Sequence, residues 1–224
     1  MNFQHFLNER LNFALFLYDS TVPQFEEIKR KIETEDAPYN YSRHSGDESD
    51  EPLFQAEWEQ ADLGVDVIGM TCLGQVQIAL NTFLKEFTKR AFGQKTLDQI
   101  PLMKQKSWLA NFRAFYATNP DFEWANSGAD LGLLEEVILT RNDFQHNTDL
   151  LNPYTFQDDK HKEKYPDSSF RHPTWSAIFP RNARLYVTRE KLDGATEAVR
   201  ILAKYLEYAL PIARQKALKD RAKG

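Results

Sequence analysis

Apolar residues recur at helical spacing through most of the chain. Phe3, Phe6, Leu7, Ala14, Leu17 and Tyr18 share one helical face, after which Ser20-Thr21 offers an N-cap and Pro23 sits in the next first turn. Phe25, Ile28 and Ile32 continue the pattern, so residues 2–34 predict a helical hairpin. Tyr39 to Pro52 is polar, acidic and free of aliphatic side chains, which predicts an exposed linker. From Leu53 to about Ala91 the pattern predicts one long helix. Its stripe is Ile68, Cys72, Val76, Ala79, Leu80, Phe83, Leu84 and Phe87, with Gly93 as a stop. Gly64, Gly69 and Gly74 interrupt it and imply a kink or the close approach of a neighbour. A connector follows over 94–103, then a helix marked by Trp108, Leu109, Phe112, Phe115 and Tyr116 and closed by Asn119-Pro120.

Thr148 to Asn182 has no periodicity and holds Pro153, Pro166, Pro173 and Pro180, so it predicts a long irregular loop. Leu185-Tyr186-Val187 reads as a short extended segment. Thr188 then caps a last helix with Leu192, Ala195, Val199, Leu202, Leu206 and Ala209 on its inner face. Pro211 ends or kinks that helix, and the basic tail from Arg214 frays. The fold class is all-α, a helical bundle in three parts. These are an N-terminal hairpin packed on the bundle (1–36), an acidic flexible linker (37–52) and the bundle proper (53–224).

One stretch, Gly128 to Asn147, breaks its own pattern. Ser127 offers an N-cap, and Leu131, Leu133, Leu134, Val137, Ile138 and Phe144 fall on one arc when laid out at about 100° per residue. Arg141 falls within that arc, where a guanidinium is costly unless paired, hydrated in a cleft or placed at an interface. His146 follows five residues later. On a straight helix that spacing points two side chains about 140° apart. Two arrangements bring them together: a helix ending near Gln145 with Asn147 as a left-handed cap, or completion by a second subunit across a two-fold axis. The same residues also read as an ordinary helix end, with Arg and His near the last carbonyls.

Composition narrows this picture. The net charge is −5, so the surface as a whole is not a nucleic-acid binder. The basic residues gather locally, at Lys160, Lys162, Lys164, Arg171, Arg181 and Arg184, and then Arg189 and Lys191. Folded beside Arg141 and His146, the first six would contact a polyanion backbone. The single cysteine, Cys72, makes no internal disulfide, and together with an N-terminus that lacks a signal pattern this predicts a reducing cytoplasm. No apolar run is read as a membrane span. Burial accounts for both Met70 and Cys72 without a redox or metal role.

A long helix, then a helix ending in Arg141-Asn142-Asp143-Phe144-Gln145-His146, then a loop and a C-terminal amphipathic helix resembles the HEPN superfamily. The resemblance covers roughly Leu53 to Leu210. Its signature is an Arg, four to six residues and a His, with a polar residue after the Arg, matched by Arg141, Asn142 and His146. It implies a metal-independent endoribonuclease of toxin or defence type, with no cofactor. Its partners would be RNA, a second copy of the chain and an antitoxin or other regulatory protein. His146 would take the proton of a ribose 2′-OH, Arg141 would stabilise the charge developing on the phosphate, and Asn142 would orient either. Some members carry a Tyr two residues after the His, where this chain has Thr148.

Two other readings compete. A non-catalytic module would use the same arc to dimerise or to dock on RNA or a protein, with Arg141 as its anchor. A di-iron enzyme would use the acid-x-x-His spacings Asp143-x-x-His146 and Asp158-x-x-His161, although paired glutamates at the needed offsets are not evident.

Overall fold

A computed structural model describes residues 3–40, 53–146, 152–178 and 183–221. Eight α-helices account for most of them: α1 (Phe3–Glu33), α2 (Gln55–Phe92), α3 (Gln94–Gln99), α4 (Trp108–Tyr116), α5 (Leu131–His146), α6 (Asp159–Lys164), α7 (Pro173–Ile178) and α8 (Arg189–Arg221). Among the described residues there is no β-strand, and the fold is all-α.

The expected N-terminal hairpin is instead a single helix, α1, which runs straight through Pro23. A proline deletes one i→i−4 hydrogen bond, and here the carbonyl that loses its donor belongs to Asp19, which is exposed to water. Pro211 likewise lies inside α8 and does not end it. Of the expected acidic linker, residues 41–52 lie outside the described residues.

The chain forms two compact units, and the cuts between them fall inside the long helices. The first unit joins 1–13, 74–139 and 193–224. Its core holds Leu11, Leu80, Leu84, Phe87, Tyr116, Phe122, Leu134, Val199, Leu202 and Leu206. Tyr116 sits among the rings of Phe87, Phe92, Phe122 and Trp124, and its hydroxyl pairs with Thr88 Oγ1 at 2.8 Å. Aromatic spacing on α4 thus serves packing.

The second unit joins 14–73 and 140–192. The expected irregular loop carries two short helices, α6 and α7, and three extended pieces held by backbone hydrogen bonds. Leu185 N–H donates to Thr155 O (2.8 Å), Gln157 N–H to Ala183 O (3.0 Å) and Tyr186 N–H to Phe170 O (2.6 Å). Isolated antiparallel bridges join Phe156 to Arg184 and Arg171 to Leu185. Phe170, Leu185 and Val187 are fully buried. Of the prolines that erase helical periodicity here, Pro166 follows α6 and Pro173 opens α7.

By length and composition α2 is apolar enough to cross a membrane, contrary to the expectation that no run was. In this fold 56% of its apolar 18-residue window is buried, and Val65, Met70, Cys72, Leu73 and Val76 of α2 lie in the interior. Two of its glycines mark close approach rather than a kink. A Cβ on Gly64 would meet the Phe25 ring at 2.7 Å, and one on Gly69 would meet Val187 Cβ at 3.0 Å and its carbonyl oxygen at 3.1 Å.

Gly69→Ala is expected to destabilise the protein by about 1–3 kcal/mol, because backbone cannot yield as a side chain does and the clash outweighs the helix-propensity gain. Gly194→Ala in α8 meets only Leu133 Cδ2 at 3.6 Å, an ordinary contact. It is expected to stabilise by up to about 1 kcal/mol. Urea unfolding midpoints should move in opposite directions; the same sign for both would refute the packing account.

Candidate functional site

The helix carrying the Arg141–His146 motif begins one turn's length later than Ser127 suggests. Asp130 Oδ1 accepts the Leu133 N–H at 2.8 Å and caps α5. Ser127 belongs to the preceding 3-10 turn, where its hydroxyl donates to Trp124 O (2.6 Å) and accepts the Ala129 N–H (3.1 Å). From Leu131, α5 is unbroken to His146. Arg141 and His146 therefore lie on one continuous helix, about 140° apart. The helix runs one residue past Gln145, and the expected cap at Asn147, like Thr148, lies outside the described residues.

Arg141 is half-buried, and its Nη1 donates to Asn142 Oδ1 at 3.3 Å. His146 is exposed. Between them Asp143 turns inward. Its Oδ2 meets His161 Nδ1 at 2.6 Å, both side chains being shut off from water. Burial pushes the Asp143 carboxyl up, with His161 working against it. His161 lies on α6, which Asp158 caps by accepting the His161 N–H at 2.6 Å. The acid-x-x-His spacings are thus crossed: Asp143 pairs with the histidine of the second motif, while that motif's own acid serves as a helix cap. Among the described residues no cluster of three or more His, Cys, Asp or Glu side chains is placed to hold a metal ion.

The basic candidates separate into groups. Lys160 and Lys164 are exposed on α6 and Lys162 is half-buried there, beside the anchored His161. Arg171 is turned back on its own loop, donating from Nη1 to Pro166 O at 2.7 Å. Arg181 lies outside the described residues. Arg184 does not belong with an outer basic surface at all, being 4% exposed. Its Nε donates to Asp66 Oδ2 (2.8 Å) and its Nη2 to Asp62 Oδ2 (2.7 Å), while Lys29 Nζ donates to Asp62 Oδ1 (2.9 Å). The Tyr154 ring lies 3.8 Å from its guanidinium.

Burial disfavours the Asp62 anion, but Lys29 and Arg184 outweigh it and hold that carboxyl below the usual range. At Asp66 burial wins over Arg184, and the carboxyl is pushed up to about 7. Sequence reading missed Asp62 and Asp66, and it placed Asp143 and His161 in two separate acid-x-x-His spacings rather than with each other. A signal existed for the first two, since Asp62 and Asp66 stand four apart on the same face as Val65 and Gly69, so two acids share a buried stripe.

No family model, no curated protein and no solved structure matches this chain.

The raised Asp66 carboxyl has a definite sign in stability. Its folded-state value of about 7 exceeds the ordinary aspartate value of about 4, so the folded protein binds the proton more tightly. The contribution is fully present below about pH 4 and is lost as pH rises through about 7. Wild type should therefore lose stability relative to Asp66→Asn across that window, with a slope of at most about 1.4 kcal/mol per pH unit. Urea unfolding of both proteins from pH 4.5 to 7.5 checks this, and parallel curves would exclude titration of Asp66.

Proposed function

We propose that the chain is a HEPN-like, metal-independent endoribonuclease, with Arg141, Asn142 and His146 as its reacting groups. The observation that carries this reading is the Asp143–His161 pair, which pins the basic helix α6 to α5 within the motif itself. On a regular helix Asp143 points about 60° from His146 and about 160° from Arg141. The lysines of α6 are therefore anchored on the side of α5 nearer the exposed imidazole, where they would hold an RNA backbone by its phosphates.

In the proposed reaction His146 takes the proton from a ribose 2′-OH. The 2′-oxygen forms a bond to the adjacent phosphorus, the bond from phosphorus to the 5′-oxygen breaks, and the leaving oxygen takes up a proton. The products are a 2′,3′-cyclic phosphate and a 5′-hydroxyl. Arg141 would meet the charge on the non-bridging oxygens with its planar fork, and Asn142, already in contact with Arg141, would steady it. Because α5 is continuous, Arg141 of one chain would work with His146 of another, so the active form would be a homodimer. A toxin or defence role in the cytoplasm, restrained by an antitoxin or other partner protein, fits this chemistry.

The test is cleavage of mixed cellular RNA in EDTA. Wild type is expected to leave cyclic phosphate ends. His146→Ala should lose about 10²–10⁴-fold in rate at equal folded concentration, the usual contribution of a general base. Replacing Lys160, Lys162 and Lys164 together by Ala should weaken RNA binding and lower its salt slope by about 2. Undiminished cleavage by the His146 variant would refute the assignment. RNA binding without cleavage by either protein would favour a non-catalytic binding module.

A further inference from the structure

A cleft of about 860 Å³ opens within the second unit, well away in composition from the motif on α5. Lys29, Trp58, Tyr154, His172, Trp175 and Arg184 are among its lining residues, and none of Arg141, Asn142 or His146 is. Its size is that of small-molecule sites, which run to about 300–1,000 Å³. Its walls are aromatic and fixed. Trp58 Nε1 donates to Glu33 Oε1 at 2.8 Å, and Lys29 Nζ lies 5.1 Å from its ring centre. Tyr154 carries the Arg184 guanidinium at 3.8 Å and lies 6.4 Å from the Trp175 ring, which in turn lies 6.1 Å from Phe156.

Deep in these walls Arg184 and His172 offer hydrogen-bond donors, while Glu59 lines the cleft as an acceptor. Arg184 spends Nε and Nη2 on Asp66 and Asp62, while its Nη1 makes no hydrogen bond among the described residues. His172 Nδ1 accepts the Trp175 backbone N–H at 3.2 Å, which places the proton of the neutral ring on Nε2. Burial, reinforced by Arg184, pushes the His172 imidazole down and keeps it neutral. Both Asp62 oxygens are already engaged, by Lys29 and Arg184. Asp62 and the lining Glu59, with Glu26 at 3.5 Å from Lys29, also set three carboxyl groups against the two cations, so a phosphate gains little here. Flat apolar faces with free donors and no net positive charge select a flat ligand with neutral acceptors on its edge.

We propose that this cleft binds a planar, uncharged heteroaromatic ring bearing carbonyl or ring-nitrogen acceptors, which is the chemistry of a nucleobase, either free as a nucleoside or presented by an RNA strand. The inference stands on the cleft alone and does not depend on the ribonuclease reading.

The experiment titrates the folded full chain with adenosine, guanosine, cytidine, uridine and a short single-stranded RNA, read by calorimetry and by quenching of tryptophan fluorescence. At least one nucleoside is expected to bind saturably at concentrations up to about 1 mM. Trp175→Ala should weaken that binding about tenfold or more, and Trp175→Phe should keep it. Should Trp175→Ala fail to fold, Trp58→Leu provides the same loss of an aromatic wall. RNA binding with the same Trp175 dependence, but no nucleoside binding, also supports the site and places the ring on a strand. Failure of every nucleoside and of the RNA to bind, or binding that neither tryptophan substitution alters, overturns the proposal. His146→Ala should bind as wild type does, so loss of cleavage and loss of ring binding are separately readable.

Discussion

Arg184 is a guanidinium with almost no access to water, and the second unit is built around that fact. Removing such a charge from water costs several kcal/mol, and leaving it unpaired costs more than a marginally stable protein can bear. The chain answers with two carboxylates from one face of α2, Asp62 and Asp66, more than a hundred residues away in sequence. Lys29 from α1 then engages the oxygen of Asp62 that Arg184 leaves open. Around this cluster the other elements have few choices. Arg184 lies in an extended piece whose neighbours, Ala183, Leu185 and Tyr186, trade backbone hydrogen bonds with the pieces around Gln157, Thr155 and Phe170. Fixing the guanidinium against α2 therefore fixes the extended pieces around Thr155, Phe170 and Leu185. The Tyr18 hydroxyl adds a further tie from α1 by donating to Val187 O at 3.1 Å.

Asp143 and His161 repeat the logic on a smaller scale. Their pair is buried, so its worth lies less in net stability than in where it holds things. A six-residue helix such as α6 has little reason to persist alone, since helix nucleation is unfavourable and so short a run recovers few hydrogen bonds. The Asp158 cap supplies one stabilising contact and the ring of His161 supplies another. The lysines on either side of His161 owe their placement to these two groups. The Asp between Arg141 and His146 is thus committed to positioning α6 against α5.

The legible part of this protein was what repeats. Helical spacing located α2, α4, α5 and α8 because a buried stripe has a period that side chains cannot disguise. Proline misled it at Pro23, through which α1 runs on, and Pro211 does not end α8. A helix tolerates a proline where the orphaned carbonyl can meet water, and that is a property of exposure rather than of sequence. The region from Thr148 to Asn182 was illegible for another reason. Its described elements are held by contacts between residues far apart in the chain, such as His161 with Asp143 and the paired pieces around Phe170 and Leu185, and no local period records them. Among the candidate site residues, type and spacing grouped Arg141, Asn142 and His146, and the structure places all three on α5. Type and spacing misassigned Arg184, because a cluster of basic residues in sequence gives no sign of which one turns inward. The acids at 62 and 66 were the missing clue, since two carboxylates on a buried stripe demand a cation from somewhere.

The continuity of α5 constrains any chemistry assigned to its end. Five residues along an α-helix separate two side chains by about 7.5 Å of rise as well as by about 140° of rotation. A general base and a phosphate-binding guanidinium must both reach groups within one nucleotide linkage, and hydrogen bonds to that linkage allow only about 3 Å from donor to acceptor. Long side chains recover part of the distance but not the direction. A second helix set antiparallel to the first across a two-fold axis removes both difficulties, because it brings the Arg of one chain to the His of the other, and symmetry then supplies the pair twice. The proposed chemistry therefore makes assembly a condition of activity, and an isolated chain would hold the residues of the motif without the site.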